Sequence, residues 1–359
     1  VAKTIYYRLR DRLDEYSLGF RATESGVEIK ILEKLFTEEE AEIYLHLAIE
    51  LQTAKEIADK TARDPDDVER VLRTMTGKGL TFPRFPKKEG EPVYYAAAPY
   101  MHGILEHQAY RWDKEAAELF EGHFQAGSLS RGPVGLRNIP INEAVNDTLT
   151  VAPYDDVRAI IHRKKRIALT DCGCSMWQRA RGMVCHNPVN VCMLFDFYAD
   201  YYVEMGWGRL ISPEEALETL ALGEKHGLVP GLSNSEDPEA LCNCCPRCCG
   251  LIRGIKRSSR PAAIAASCYF AVVDSALCTG CETCVERCPM EAVGLGDAGS
   301  CVIDLDRCIG CGLCVSTCPE KAVRLQRKPE ERIRPPMKTS RFMRPSAAFE
   351  DDVRGHENR

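Results

Sequence analysis

The sequence predicts an α+β chain of several domains, and three observations carry that prediction. Capped helical segments followed by a short hairpin fill the first hundred residues, every cysteine lies beyond position 171, and two four-cysteine runs recur thirty positions apart near the carboxyl end. A chain of 359 residues has length for two or three separate cores.

Composition sets the limits. With 45% hydrophobic and 28% charged residues the chain is globular, and no run approaches the roughly 18 apolar residues of a spanning helix. Val1 to Phe20 mixes Arg with Asp and Glu and lacks a continuous apolar stretch, so a cytoplasmic location is expected. The net charge of -6 argues against bulk attraction to phosphate backbones. The nineteen cysteines include adjacent pairs such as Cys244-Cys245 and Cys248-Cys249, which suit metal or cluster ligation better than a disulfide framework. A reducing compartment and an anaerobic setting follow as expectations.

The amino-terminal elements begin at Thr37-Glu-Glu-Glu40, a capping box opening a helix through about Glu50. Thr53-Ala-Lys-Glu56 opens a second helix to Thr61, and Asp64-Pro65 a third, with Val68, Val71, Leu72 and Met75 on one face. Leu80 to Phe85 and Val93 to Ala97 then make a hairpin around Lys87-Lys-Glu-Gly90. Three helices and a hairpin in this order resemble a winged helix-turn-helix over about 27–100. The first turn of the would-be recognition helix holds Asp64, Asp66, Asp67 and Glu69, which repel DNA, with partial compensation from Arg70, Arg73, Arg84, Lys87 and Lys88. A protein-docking or structural role is therefore preferred over DNA. Met101 to Phe124 is expected to continue as a helix, and 126–147 to be a Gly- and Pro-containing linker.

In the middle segment, Thr148–Val151 reads as a strand, Tyr154 to Lys165 as a helix with Val157, Ile160 and Ile161 on one face, and Arg166–Leu169 as a second strand. Ser212-Pro-Glu-Glu215 opens a helix ending near His226-Gly227. Phe195, Phe197, Tyr198, Tyr201 and Tyr202 read as core at helical spacing. Two cysteine patches flank these elements: Cys172, Cys174, Cys185 and Cys192, then Cys242, Cys244, Cys245, Cys248 and Cys249. Nine thiols exceed the four of a structural zinc site and suffice for one or two cubanes. Either each patch holds its own cluster, or Cys172 and Cys174 cross to the second patch. Arg247, Arg253, Lys256, Arg257 and Arg260 crowd that patch, where cations would raise the potential of an anionic cluster unless they form a solvated loop.

The carboxyl-terminal repeat reads Cys278-Thr-Gly-Cys281-Glu-Thr-Cys284-Val-Glu-Arg-Cys288-Pro289, then Cys308-Ile-Gly-Cys311-Gly-Leu-Cys314-Val-Ser-Thr-Cys318-Pro319. From Ala271 to Leu325 it resembles the bacterial two-cluster 2[4Fe-4S] ferredoxins. That resemblance implies one cubane on Cys278, Cys281, Cys284 and Cys318 and another on Cys308, Cys311, Cys314 and Cys288, because the cysteine before proline serves the other cluster. Gly280, Gly310 and Gly312 are expected to let backbone approach the inorganic core. Cys301 and Cys268 are expected to be packed thiols.

The expected domains are a winged-helix-like domain at 1–125, the linker at 126–147, an α+β cysteine-rich iron–sulfur domain at 148–265, a two-cluster ferredoxin fold at 266–325, and an extended basic tail at 326–359. Together they resemble a family of 4Fe-4S ferredoxin-type proteins of anaerobes. The resemblance implies a multi-cluster electron-transfer subunit of a larger oxidoreductase complex, a hetero-oligomer with a redox protein or a flavoprotein or metalloenzyme catalytic subunit, with no membrane insertion. No dinucleotide fingerprint, P-loop or activated nucleophile is visible, so no catalytic residue is assigned. The alternatives are an iron–sulfur redox-sensing transcription regulator, and a reductase with an unusual substrate-binding cluster in the middle domain.

Overall fold

The computed structural model describes residues 2–16, 20–127, 135–141, 144 and 152–338. They fall into two units, one made by the residues up to 127 together with 176–184, the other by 135–175 and 185–338.

The first unit opens with α1 (Ala2–Asp14), α2 (Val27–Leu35) and α3 (Glu38–His46). Thr37 accepts from the Glu40 amide while the Glu40 carboxylate accepts from the Thr37 amide, so α3 starts where the capping box placed it. It ends at His46, four residues short of expectation. β1 (Gln52–Thr53) leads into α4 (Ala54–Thr61), capped the same way by Thr53 and Glu56, and Asp64 with Pro65 starts α5 (Pro65–Gly77). Val68, Val71, Leu72 and Met75 are the buried face of α5. β2 (Thr81–Arg84) and β3 (Tyr94–Ala97) form the hairpin, and β1 joins its far side in the antiparallel order β1-β3-β2. The expected continuous helix from Met101 is broken: an irregular turn at Tyr100–Ile104 and the short α6 (Leu105–His107) precede α7 (Lys114–Gln125). Asp113 causes the restart, since its carboxylate accepts from the Ala116 amide at 2.7 Å.

The second unit is built on a six-stranded sheet in the order β4-β8-β9-β6-β5-β7. Its strands are β4 (Leu136–Asn138), β5 (Ile167–Asp171), β6 (Asn190–Phe195), β7 (Gly208–Leu210), β8 (Val229–Ser233) and β9 (Ala240–Cys244). All neighbouring pairs are antiparallel. α8 (Val157–Arg163) and α11 (Pro213–Lys225) cover one face, where Val157, Ile160, Ile161, Ala216 and Leu220 meet Ile167, Leu169, Met193, Phe195 and Leu241. α9 (Gly173–Ala180) follows β5 and α10 (Phe197–Glu204) follows β6. Phe195 thus belongs to a strand and not to the aromatic helix. The expected strand at 148–151 lies outside the described residues, while the span expected as a linker supplies β4.

α12 (Gly250–Arg257) and α13 (Pro261–Ile264) lead into the cysteine repeat: β10 (Tyr269–Val273), α14 (Thr283–Arg287), β11 (Val293–Leu295), β12 (Cys301–Ile303), α15 (Leu313–Ser316) and β13 (Val323–Arg327). β10 pairs with β13 and β11 with β12, so the outer strands of the repeat clasp each other around the inner hairpin. The tail does not leave the unit at 326. Gln326 and Arg327 finish β13, both terminal nitrogens of Arg137 donate to the Arg334 carbonyl, and Met337 bridges to Ser235. Arg137 is fully buried and ion-paired with Asp155 at 3.0 Å, which is why an arginine in an edge strand can hold the chain from 197 residues away. Among the described residues no helix is long and apolar enough to cross a membrane.

Candidate metal centre

The repeat in sequence is a repeat in backbone. Gly280 and Gly310 have φ +68° and +67°, Glu282 and Gly312 +58° and +81°, and Glu291 and Lys321 +53° and +52°. Left-handed backbone at these paired positions curls each loop so that its three cysteines face inward. At all three glycines a Cβ would meet protein. A Cβ on Gly310 would lie 2.1 Å from the Tyr269 carbonyl oxygen, one on Gly280 2.3 Å from that of Gly299, and one on Gly312 2.5 Å from Ala144. Close packing against protein therefore requires glycine at these positions, and Glu282 in the place of Gly312 shows that the left-handed turn alone does not demand it.

Backbone amides point at the sulfurs of the repeat. Cys301 donates to Cys278 at 3.3 Å, Ala271 to Cys308 at 3.3 Å, Ala292 to Cys288 at 3.2 Å and Ala322 to Cys318 at 3.2 Å. Such amides favour thiolate over thiol. A cavity of about 20 Å³ is lined by Cys288, Cys308, Cys311 and Cys314, together with Ala271, Ile303 and Ile309. One half of the repeat gives one sulfur to it, the other half three. The two halves differ in solvation: Cys281 is exposed, whereas Cys308, Cys311 and Cys314 are buried. The amides of Cys301 and Gly280 pull the Cys278 thiol below its ordinary value and the Thr283 hydroxyl does the same for Cys281, while burial pushes Cys311 up to about 12 and raises Cys308 and Cys314. The buried Cys308, Cys311 and Cys314 resist carrying charge alone, and a bound cation would offset that cost where bare thiolates would not.

The middle cysteines gather at one end of the sheet by strand register. β6 runs antiparallel to β5 and β9, with Thr170 opposite Cys192, and Met193 opposite Leu241. Cys172 leaves β5 at that end, Cys192 lies in β6, and Cys242 and Cys244 lie two apart in β9. Their thiols form a closed ring of hydrogen-bonded neighbours: Cys172 with Cys174 and Cys192, Cys192 with Cys242, Cys242 with Cys244, Cys244 with Cys249, and Cys249 with Cys174. Cys172 and Cys249 sit well below the ordinary thiol value because each accepts from two of these thiols, and Cys174, Cys192 and Cys244, as their donors, sit above it. Cys185, Cys245 and Cys248 stand as a separate trio with all three sulfurs within 4.8 Å of one another.

Both patches contribute to both groups: the ring takes three thiols from each, and the trio takes Cys185 from the first and Cys245 and Cys248 from the second. Sequence spacing could not see this, because the pairing of β6 with β9 joins residues about fifty positions apart. Two of the five cations assigned to the second patch also work elsewhere. Lys256 pairs with Glu291 at 2.6 Å and Arg260 with Asp306 at 3.2 Å, tying the segment after Cys249 to the repeat. The Arg287 guanidinium adds to that tie by donating to the Glu224 and Lys225 carbonyls at the end of α11. Cys268 is fully buried against Arg137 and Tyr154. Cys301 is buried with its sulfur 3.6 Å from that of Cys284, closer to the candidate ligands than a packed thiol needs to be.

Residues 270–319 match the family model of the 4Fe-4S dicluster domain. Comparison with the curated proteins and with the solved structures gives no significant match for the chain. The dicluster match and the cysteine groups identify an iron–sulfur protein.

Proposed function

We propose that this chain relays single electrons through several [4Fe-4S] clusters as a subunit of a larger cytoplasmic oxidoreductase complex. The observation that carries the reading is the cavity walled by Cys288 together with Cys308, Cys311 and Cys314. These four would hold one cluster, and by the symmetry of the repeat Cys278, Cys281, Cys284 and Cys318 would hold its twin. The clusters supply one-electron storage. The chain supplies N–H···S contacts, which favour the reduced, more negative state, and the low-dielectric wall around Cys308, Cys311 and Cys314.

A further cluster belongs at the ring of Cys172, Cys174, Cys192, Cys242, Cys244 and Cys249. In a regular ring of six touching sulfurs, members two steps apart are separated by about 1.7 contact distances, roughly 6 Å, the spacing of thiolates around four irons. Three alternate members of such a ring meet that spacing, which accounts for three of a cubane's four irons.

Exposure supports an outlet for electrons at the first half of the repeat. Cys281 is exposed, and Leu277, Leu295, Val302 and Leu305 around that half are each about half exposed, an apolar rim suited to a transient redox partner. A flavoprotein or metalloenzyme is the class of partner proposed, in a hetero-oligomer.

Helices α3, α4 and α5 with the three-stranded sheet of the first unit support a winged-helix reading, with docking as its role. Its arginines do not offer themselves to DNA: Arg70 pairs with Asp67 at 3.4 Å, Arg73 with Glu69 at 2.8 Å and Arg84 with Glu91 at 3.5 Å.

Anoxic iron and sulfide analysis tests the proposal. About twelve irons per chain, with reduced-cluster electron paramagnetic resonance from the repeat and the ring, is the expected result. About eight would restrict clusters to the repeat, and an iron-free chain would end the electron-relay reading. Retardation of DNA by the full chain at low salt would favour the regulator instead.

A further inference from the structure

We propose that Cys185, Cys245 and Cys248 form a mononuclear site for a thiophilic divalent ion, with Zn²⁺ as the probe, separate from the clusters and with its fourth position open to water or an exogenous thiol. The three sulfurs make a closed triangle: Cys185 and Cys245 are 3.7 Å apart, Cys245 contacts Cys248, and Cys248 contacts Cys185. A tetrahedral ion with Zn–S bonds of about 2.3 Å sets its thiolates about 3.8 Å apart. Thiolates on a cubane stand roughly 6 Å apart because four irons lie between them. No pair in this trio reaches that spacing, since all lie within 4.8 Å. The ring of six has members two steps apart; a triangle has none.

Local backbone supports a single ion. Cys245-Pro-Arg-Cys248 is a C-x2-C hook, and the amides of Arg247 and Cys248 both donate to the Cys245 sulfur, which turns the loop around the point the two thiolates share. The Asn187 side-chain amide adds a third donor to the same sulfur at 3.2 Å. These contacts orient and stabilise a metal-bound thiolate. Cys185 completes the triangle from a distant segment, so the ion would pin the loop before β6 to the loop after β9. The group counts three protein donors among the described residues, which leaves one tetrahedral position for a soft or neutral ligand from solution.

The inference does not depend on the electron-relay reading, and its test separates the two. Full-length chain prepared without oxygen is analysed for zinc, iron and sulfide, then titrated with Zn²⁺ against a chromophoric chelator and with Co²⁺. The expected result is about one tightly held zinc per chain, falling to below about a tenth in Cys185→Ser and in Cys248→Ser, with iron and sulfide unchanged. A loss of about four irons in Cys185→Ser with zinc uptake unaltered would assign the trio to a cluster and overturn the proposal. If the serine variants do not fold, the unaltered chain decides: Co²⁺ should give thiolate charge-transfer and intense tetrahedral d–d bands, and their absence overturns the site.

Discussion

Ala271 and Cys301 hold the same station in the two halves of the repeat. Each backbone amide donates at 3.3 Å to the first cysteine of a four-cysteine run, Ala271 to Cys308 and Cys301 to Cys278. The side chains differ at that station. One half presents a methyl group to its site, the other a thiol 3.6 Å from Cys284.

Because the backbone contact survives truncation, Cys301→Ala should leave iron and sulfide content at the wild-type value and remove only a soft neighbour of Cys284. The two half-sites would then become more alike, and their potentials should draw together in a redox titration. A drop of about four irons per chain would show that Cys301 is itself a ligand.

Glycine substitutions should separate backbone hand from close approach. Gly299→Ala meets open space and bears only the left-handed strain at φ +77°, about 1–2 kcal/mol. Gly310→Ala adds a Cβ 2.1 Å from the Tyr269 carbonyl oxygen, so β10 must move. The expected outcome is a modest fall in melting temperature for the first and loss of most of the repeat's iron for the second, read by thermal denaturation and iron assay.

His107 gives the first unit a pH dependence. It is buried with Nδ1 2.8 Å from the Gly79 carbonyl oxygen, and burial pushes its pKa down to about 4 from 6.5. Between those values the unfolded chain binds the proton and the folded chain does not, so stability rises with pH. Stability should be complete above about pH 6.5 and fall by roughly 3 kcal/mol on acidification to pH 4. Chemical denaturation across this range checks it, and His107→Gln should flatten the slope.

The buried pair of Arg137 and Asp155 should prove costly to break on one side. Arg137→Met leaves Asp155 charged in the interior and releases the Arg334 carbonyl, a loss of roughly 3–5 kcal/mol. Combining it with Asp155→Leu should restore much of that stability while leaving the chain near Arg334 open to protease. Urea unfolding and limited proteolysis read the two effects separately.

Local chemistry was legible in the sequence and long-range registration was not. Thr37, Thr53, Asp64 and Ser212 announced their helices because a cap is a contact within four residues. The repeat announced itself through spacing, and the match to a 4Fe-4S dicluster domain falls on the same span, 270–319. The break at Asp113 was hidden because an acid inside an amphipathic stretch reads equally as a surface residue. The sorting of nine middle thiols into a ring and a triangle was hidden for a different reason. It depends on β6 lying between β5 and β9, and nothing in either patch encodes that order. The ordering of 326–338 escaped notice because its anchor, Arg137, sits in a segment that read as linker.

The cavity that takes one sulfur from Cys288 and three from Cys308, Cys311 and Cys314 couples the fates of both halves. A chelator or oxidant that pries either loop open removes a donor from each centre at once. Demetallation of the repeat should therefore proceed all or none, with no long-lived half-stripped form for a repair system to reload.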